Sequence, residues 1–279
     1  MAVIDKPNLH FATTLYTGNG STDRAVTVGF QPDWIWCKER SQTESNMLHD
    51  VHMNAGDYIR SNTSDQLSNS GEMFKSITST GFTVGTRGEV NENSQTYVNW
   101  SWKGGGTPSA NNVGATASSV SVNTTSGFSV VTWTGTGSAT TLGHGLGATP
   151  ELIIIKNKTD SVNWMFFARS MIAPGATNKE FFELNATAGL QANGSATTFT
   201  STSNTTFGVG TDNKLNGSGD AMVAYVFAPK PGFSSFGKYY GNGNTDGPFV
   251  YTGFRPAWVL QKQQATRDWT LADNRRANS

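Results

Sequence analysis

Tyr16-Thr-Gly-Asn-Gly20, Gly29-Phe-Gln-Pro32 and Trp34-Ile-Trp-Cys-Lys38 follow one another near the start of the chain, and the same order of blocks returns twice. The second copy reads Trp133-Thr-Gly-Thr-Gly137, Gly145-Leu-Gly-Ala-Thr-Pro150 and Ile153-Ile-Ile-Lys156. The third reads Tyr240-Gly-Asn-Gly243, Gly253-Phe-Arg-Pro256 and Trp258-Val-Leu-Gln-Lys262, so that Lys38, Lys156 and Lys262 fall at equivalent positions. An aromatic-Thr-Gly-x-Gly block is a strand running into a tight turn, where Gly or Asn supplies positive φ. Gly-Phe-x-Pro ahead of an apolar run is a turn feeding a strand, with Pro fixing φ before the ladder begins. Repetition on this scale decides architecture, and it predicts a series of like β modules.

The module ends repeat as well. Gly81-Phe-Thr-Val-Gly85 matches Thr206-Phe-Gly-Val-Gly210, and Tyr97-Val-Asn-Trp-Ser-Trp102 matches Met222-Val-Ala-Tyr-Val-Phe227. In an extended chain Val98, Trp100 and Trp102 share one face, as do Val223, Tyr225 and Phe227. Trp100, Trp102, Tyr225 and Phe227 are therefore expected as a core aromatic column filling a sandwich interior. The expected fold class is all-β, with tandem β-sandwich modules of jelly-roll or lectin-like type. Residues 1–107 form the first module, 108–127 a linker or edge strand, 128–231 the second module, and 232–279 an incomplete third. An unfinished module leaves strand edges open, so we expect further polypeptide or another subunit to complete it. Asn178 to Leu190 is the best helical candidate, and it is short.

Composition narrows the function classes. Charged residues make up 14% of the 279, and the formal net charge is zero, which argues against a basic nucleic-acid binder. Aromatic residues reach 11% with eight Trp, in a background of Gly, Ser, Thr and Asn that favours strands and turns over helices. Cys37 is the single cysteine, so packing rather than an intrachain disulfide must stabilise the fold. No apolar run is long enough for a transmembrane helix. The Asn-x-Ser/Thr triplets at Asn62 and Asn185 read as chance matches.

Residues able to carry chemistry are sparse. His49 and His52 lie three apart in a stretch that reads as a polar loop, and metal ligation would require further convergent ligands. His144 sits between glycines in a turn. Asp212-Asn-Lys-Leu-Asn-Gly217 has Lys214 where a calcium loop needs a ligand. Glu89 and Glu92 read as a solvated hairpin tip, and Cys37 as a buried filler. We expect no enzyme, no cofactor and no metal. Trp164 and Trp269 occupy equivalent positions and are the candidate contacts for a glycan or a partner, weighed against a packing role.

The block order resembles a repeated module of structural proteins in marine and cyanobacterial phages. Tyr16-Thr-Gly-Asn-Gly-Ser21, Gly29-Phe-Gln-Pro-Asp-Trp-Ile-Trp36 and Tyr97-Val-Asn-Trp-Ser-Trp-Lys-Gly-Gly-Gly106 carry the resemblance in the first module. Gly127-Phe-Ser-Val-Val-Thr-Trp-Thr-Gly-Thr-Gly137 and Leu142-Gly-His-Gly-Leu-Gly147 carry it in the second. It implies a lectin-like, concanavalin-type β-sandwich in a virion protein, usually tail-fibre-like. Such a protein is expected in the virion, among other virion proteins, as a homo-oligomer (a trimer by preference) that binds host-surface glycan. A capsid decoration or cement protein is the alternative, and an extracellular glycan-degrading enzyme a third reading. Neither nucleic acid nor membrane insertion is implied.

Overall fold

A computed structural model describes residues 4–171, 179–193 and 197–276. The first module runs β1 (Phe11–Thr17), β2 (Arg24–Thr27), β3 (Trp34–Glu39), β4 (Met47–Asp50), β5 (Asp57–Arg60), β6 (Ser68–Asn69), β7 (Phe74–Thr78), β8 (Gly81–Val84), the short helix α1 (Gly88–Asn91) and β9 (Thr96–Trp102). One sheet has the order β1-β9-β3-β4-β5-β6 and the other β2-β8-β7. Next come β10 (Ser109–Asn111), β11 (Ser118–Asn123), β12 (Phe128–Thr134), β13 (Thr140–Gly143), β14 (Leu152–Asn157), β15 (Met165–Ala168), β16 (Lys179–Glu183), β17 (Gln191–Asn193), β18 (Phe199–Thr202), β19 (Thr206–Val209), α2 (Asn213–Asn216) and β20 (Ala221–Phe227). Their sheets are β10-β11-β12-β20-β14-β15-β16-β17 and β13-β19-β18. The last two strands, β21 (Trp258–Gln261) and β22 (Thr270–Asp273), form a hairpin.

The fold is thus all-β, in antiparallel two-layer modules, as the repeat predicts. The closing strand of each complete module lies between the first strand and the strand that carries the repeated lysine, with Trp34 opposite Trp102 and Leu152 opposite Phe227. Residues 108–127 contain β10 and β11, which extend the edge of the second module's large sheet. In the span read as a helical candidate, Lys179–Glu183 is strand β16, while Asn178 lies outside the described residues. Phe181 and Phe182 are both buried and point to opposite faces of that strand, a two-sided burial that outweighs the local pattern. Glu89 belongs to α1 and is buried in an ion pair with Arg87, so that stretch is not a solvated hairpin tip.

The turn motif has a direct cause. A Cβ on Gly18 would sit 2.0 Å from the Glu92 carbonyl oxygen, and one on Gly135 2.0 Å from that of Gly217. The chain leaving each short helix runs against the turn, so only glycine fits. Two residues on, Gly20 and Gly137 take φ of 68° and 67°. A buried Asn at the end of each helix ties the blocks together. Asn91 accepts from the Asn19 N–H and donates to the carbonyls of Ser21 and Gly85. Asn216 likewise accepts from the Thr136 N–H and donates to those of Ser138 and Gly210.

Three cores result. Ile35, Cys37, Met47, Phe74, Phe82 and Tyr97 fill the interior of the first sandwich. Ile153, Ile155, Met165, Phe199, Phe207 and Val209 fill the second. The third lies between modules, on the opposite face of both large sheets, and contains Trp34, Trp100, Trp102, Trp164, Tyr225 and Phe227. The predicted aromatic column is buried, but not inside either sandwich: it forms the seam between them. Trp34 is its centre, stacked on Tyr225 at 4.1 Å and on Trp102 at 4.4 Å.

Candidate functional site

The feature that recurs around this central core is a docking interface between repeats. Trp164 of the second module donates its indole N–H to the Arg60 carbonyl of the first at 2.8 Å. Trp269 of the third repeat donates to the Glu183 carbonyl of the second at 3.2 Å. Arg60 ends β5 and Glu183 ends β16, the corresponding strand. Four residues beyond each acceptor, the Lys156 ammonium reaches the Ser64 carbonyl and the Lys262 ammonium the Thr187 carbonyl, both at 2.9 Å. Three further on, the Leu67 N–H donates to the Lys158 carbonyl and the Leu190 N–H to the Gln264 carbonyl. The second repeat therefore docks on the first as the third docks on the second.

The first repeat also docks on the third. The Tyr225 hydroxyl donates to buried Asp50 at 2.8 Å, from second module to first. The Trp100 indole donates to Asp273 at 3.1 Å, from first module to third. Tyr225 and Trp100 are equivalent on β20 and β9, as are Asp50 and Asp273 on β4 and β22. Two kinds of contact thus close a ring head to tail: the indole–carbonyl contact joins the second repeat to the first and the third to the second, and the contact to aspartate joins the second to the first and the first to the third.

The repeated lysines have two roles here. Lys38 and Lys156 each donate to the carbonyls four and six residues ahead, Gln42 and Glu44 or Asp160 and Val162, capping the hairpin that follows. Lys262 caps its own loop at Arg267. Burial lowers the Lys156 ammonium from 10.5 to about 8, against the opposing pull of Asp65 and Asp160. Asn62 and Asn185, which look like chance triplets, are equivalent too: each side chain accepts the backbone N–H at the base of the hairpin, from Asn46 and from Trp164.

The structure corrects the ligand reading at Trp164. Trp164 is 0% exposed, so neither ring face can meet a sugar. Trp269 is half-buried against Phe166 and Phe182. Both are contacts between repeats of the same chain. The equivalence of the two residues was visible in the sequence; the acceptor carbonyl on the preceding repeat was not. Among the predicted column, Trp100 and Tyr225 carry polar bonds of the ring as well as apolar surface.

Other chemistry-bearing residues serve structure. His49 is a buried residue of β4, not of a loop; it bonds the Asp57 carbonyl through Nδ1 and stacks on Phe74. His52 follows in a turn, bonded through Nε2 to the Ser119 carbonyl. His144 accepts the Leu146 N–H inside its turn. Burial lowers the pKa of all three. Asp212 caps α2 through the Lys214 N–H. Among the described residues no three His, Cys, Asp or Glu side chains gather as a metal would require. Shallow clefts among the described residues include two of note. One of about 330 Å³ is lined by His49, Met53, Lys75 and Pro108, the other of about 290 Å³ by Arg255, Trp258, Val259 and Arg276.

Fold and interfaces together define an all-β repeat protein whose modules dock around a shared aromatic core. The chain belongs to the family described as Domain of unknown function (DUF7483), whose model matches residues 6–279. No curated protein and no solved structure matches it.

Proposed function

We propose that this protein is a non-catalytic component of a bacteriophage virion surface, tail-fibre-like, that meets host glycan or neighbouring virion proteins through its loops. The observation that carries the reading is the ring itself, in which buried aromatic and polar groups hold three repeats to one another. Such an assembly supplies a rigid scaffold, and on rigid scaffolds recognition falls to the loops. The buried positions of His49, His144 and Cys37 favour a structural over a catalytic use of those groups. The likeness of the blocks to phage structural modules supplies the virion setting.

A capsid decoration or cement protein is the second reading, favoured by the ring closure, since repeats locked to one another by buried contacts suit a component that grips its neighbours on a shell. Labelling purified virions with antibody and imaging them decides between tail and head; absence of the protein from virions would overturn both. A glycan array tests host recognition, with saturable binding to a glycan class as the expected result. Because one chain already brings three repeats together, sedimentation of the purified protein tests whether a homotrimer forms as well.

A further inference from the structure

The two complete modules differ in chemistry at a buried position shared by β4 and β15. Ile35 of β3 lies opposite His49, and Ile153 of β14 opposite Phe167. Both side chains stack on a phenylalanine of the smaller sheet, His49 on Phe74 at 5.2 Å and Phe167 on Phe199 at 4.5 Å. The fold therefore accepts an apolar ring at this place, yet the first module carries a polar one that is 3% exposed. Burying a ring nitrogen costs free energy unless a partner satisfies it. The stack and the bond from Nδ1 to the Asp57 carbonyl account for the ring face and one nitrogen. Nε2 has no partner among the described residues, and it is not enclosed.

The Asp57 carbonyl can only accept, so Nδ1 carries the hydrogen, and burial favours the neutral imidazole. Nε2 is therefore a hydrogen-bond acceptor. His49 lines the cleft of about 330 Å³ where the two layers of the first module meet the segment leading into the second. Gln31, also in the wall, gives its amide N–H to Asp33, and its carbonyl oxygen has no partner among the described residues. Met53, Ile77 and Pro108 add apolar surface. Lys75 lines the cleft at a register shift of β7, between Phe74 and Ser76. Its ammonium is already paired with Glu72 at 3.2 Å and Asp23 at 3.4 Å, so it brings no uncompensated charge. At the matching shift of β18, between Phe199 and Ser201, the residue is Thr200. Histidine and lysine thus belong to one repeat and not to the fold in general.

We propose that this cleft binds one neutral sugar residue of a glycan, whose hydroxyls donate to His49 Nε2 and to the Gln31 carbonyl oxygen. The C–H face of the sugar lies on Met53, Ile77 and Pro108. The proposal rests on the glycan-recognition reading above and gives it a place in the first module. Two acceptors without net charge select a neutral hydroxylated ligand, whereas the carboxylate of an acidic sugar would meet lone pairs that repel it. The volume lies near the lower end of ligand sites, which run from about 300 to 1,000 Å³, and suits a single ring.

The site is tested apart from recognition at large by titrating the intact protein, with isotope-labelled histidine, and following the imidazole nitrogens by NMR. The probes are D-glucose, D-galactose, D-mannose and N-acetyl-D-glucosamine, with glucuronate and glycerol as controls. A saturable shift of His49 Nε2 with at least one neutral sugar is expected, while His52 and His144 stay unmoved. No saturable shift with any neutral sugar, or an equal shift with glucuronate or glycerol, would overturn the proposal. His49→Phe, the residue the second module itself uses, is then compared with the unaltered protein on a glycan array. A loss of about tenfold in affinity is expected, because the bound hydroxyl loses its acceptor. Equal binding by both proteins would overturn this site and leave glycan recognition standing. An imidazole shift without array binding would support the site and count against host recognition. Should His49→Phe fail to fold, the titration of the unaltered protein decides alone.

Discussion

Lys156 shows how much one buried side chain can decide. Its ammonium satisfies carbonyls of its own hairpin and of the preceding module, and Lys156→Met would leave Ser64 and Val162 unpaired. The expected loss is about 2–3 kcal/mol in urea unfolding. Its pH signature follows from a pKa lowered to about 8 from 10.5. Between those values the unfolded chain holds the proton and the folded one does not, so stability contributed by this group rises with pH. Burial raises Cys37 from 9.0 to about 12, which acts in the opposite sense above pH 9, when only the unfolded thiol ionises. The rise is therefore read between pH 8 and 9, and Lys156→Met should flatten it. The same burial predicts that Cys37 reacts with a thiol reagent only after denaturation; rapid labelling of the native protein would contradict its place in the first sandwich. At this scale the sequence revealed the equivalence of the three lysines. It concealed their partners, since a carbonyl acceptor leaves no mark on residue identity.

At the scale of elements, the blocks legible in the sequence are those whose backbone geometry restricts residue type. Gly18, Gly20, Gly135 and Gly137 are such positions, and so the turns were found. Strand β16 was missed because Phe181 and Phe182 are buried on both faces, leaving no alternation to distinguish it from helix. The short helices α1 and α2 escaped for another reason: each is one turn, shorter than any periodicity can register. Yet α2 presents Asn216, which bonds Thr136, Ser138 and Gly210 at once. Asn216→Ala should cost about 2–4 kcal/mol by releasing the turn and stranding buried groups. Asn91→Ala should do the same in the first module, and chemical denaturation of each variant measures it. A loss below that of an ordinary surface substitution would show that the turn is held by its glycines alone.

At the scale of the molecule, sequence and structure differ over where the aromatic column sits. Val98-x-Trp100-x-Trp102 and Val223-x-Tyr225-x-Phe227 read as sandwich interiors because a lone sandwich has no other dry face. The repeat supplies one, since each large sheet turns its second face to its neighbours. Shared burial has a thermodynamic consequence: neither module can open its large sheet without exposing Trp34, Trp102, Tyr225 and Phe227 together. Modules joined only by a linker would unfold independently, whereas these should unfold as one cooperative unit. Amide exchange should then give β9 and β20 the same opening free energy. Trp164→Ala removes a buried indole and leaves the Arg60 carbonyl unpaired, at about 3–5 kcal/mol. It should lower both strands equally although it lies in one module. The β21–β22 hairpin, half-buried and a two-stranded sheet among the described residues, should exchange at lower free energy, and Trp269→Ala should lower it further while sparing β9. Unequal effects of Trp164→Ala on β9 and β20 would mean that the seam is a contact between independent modules rather than a core common to both.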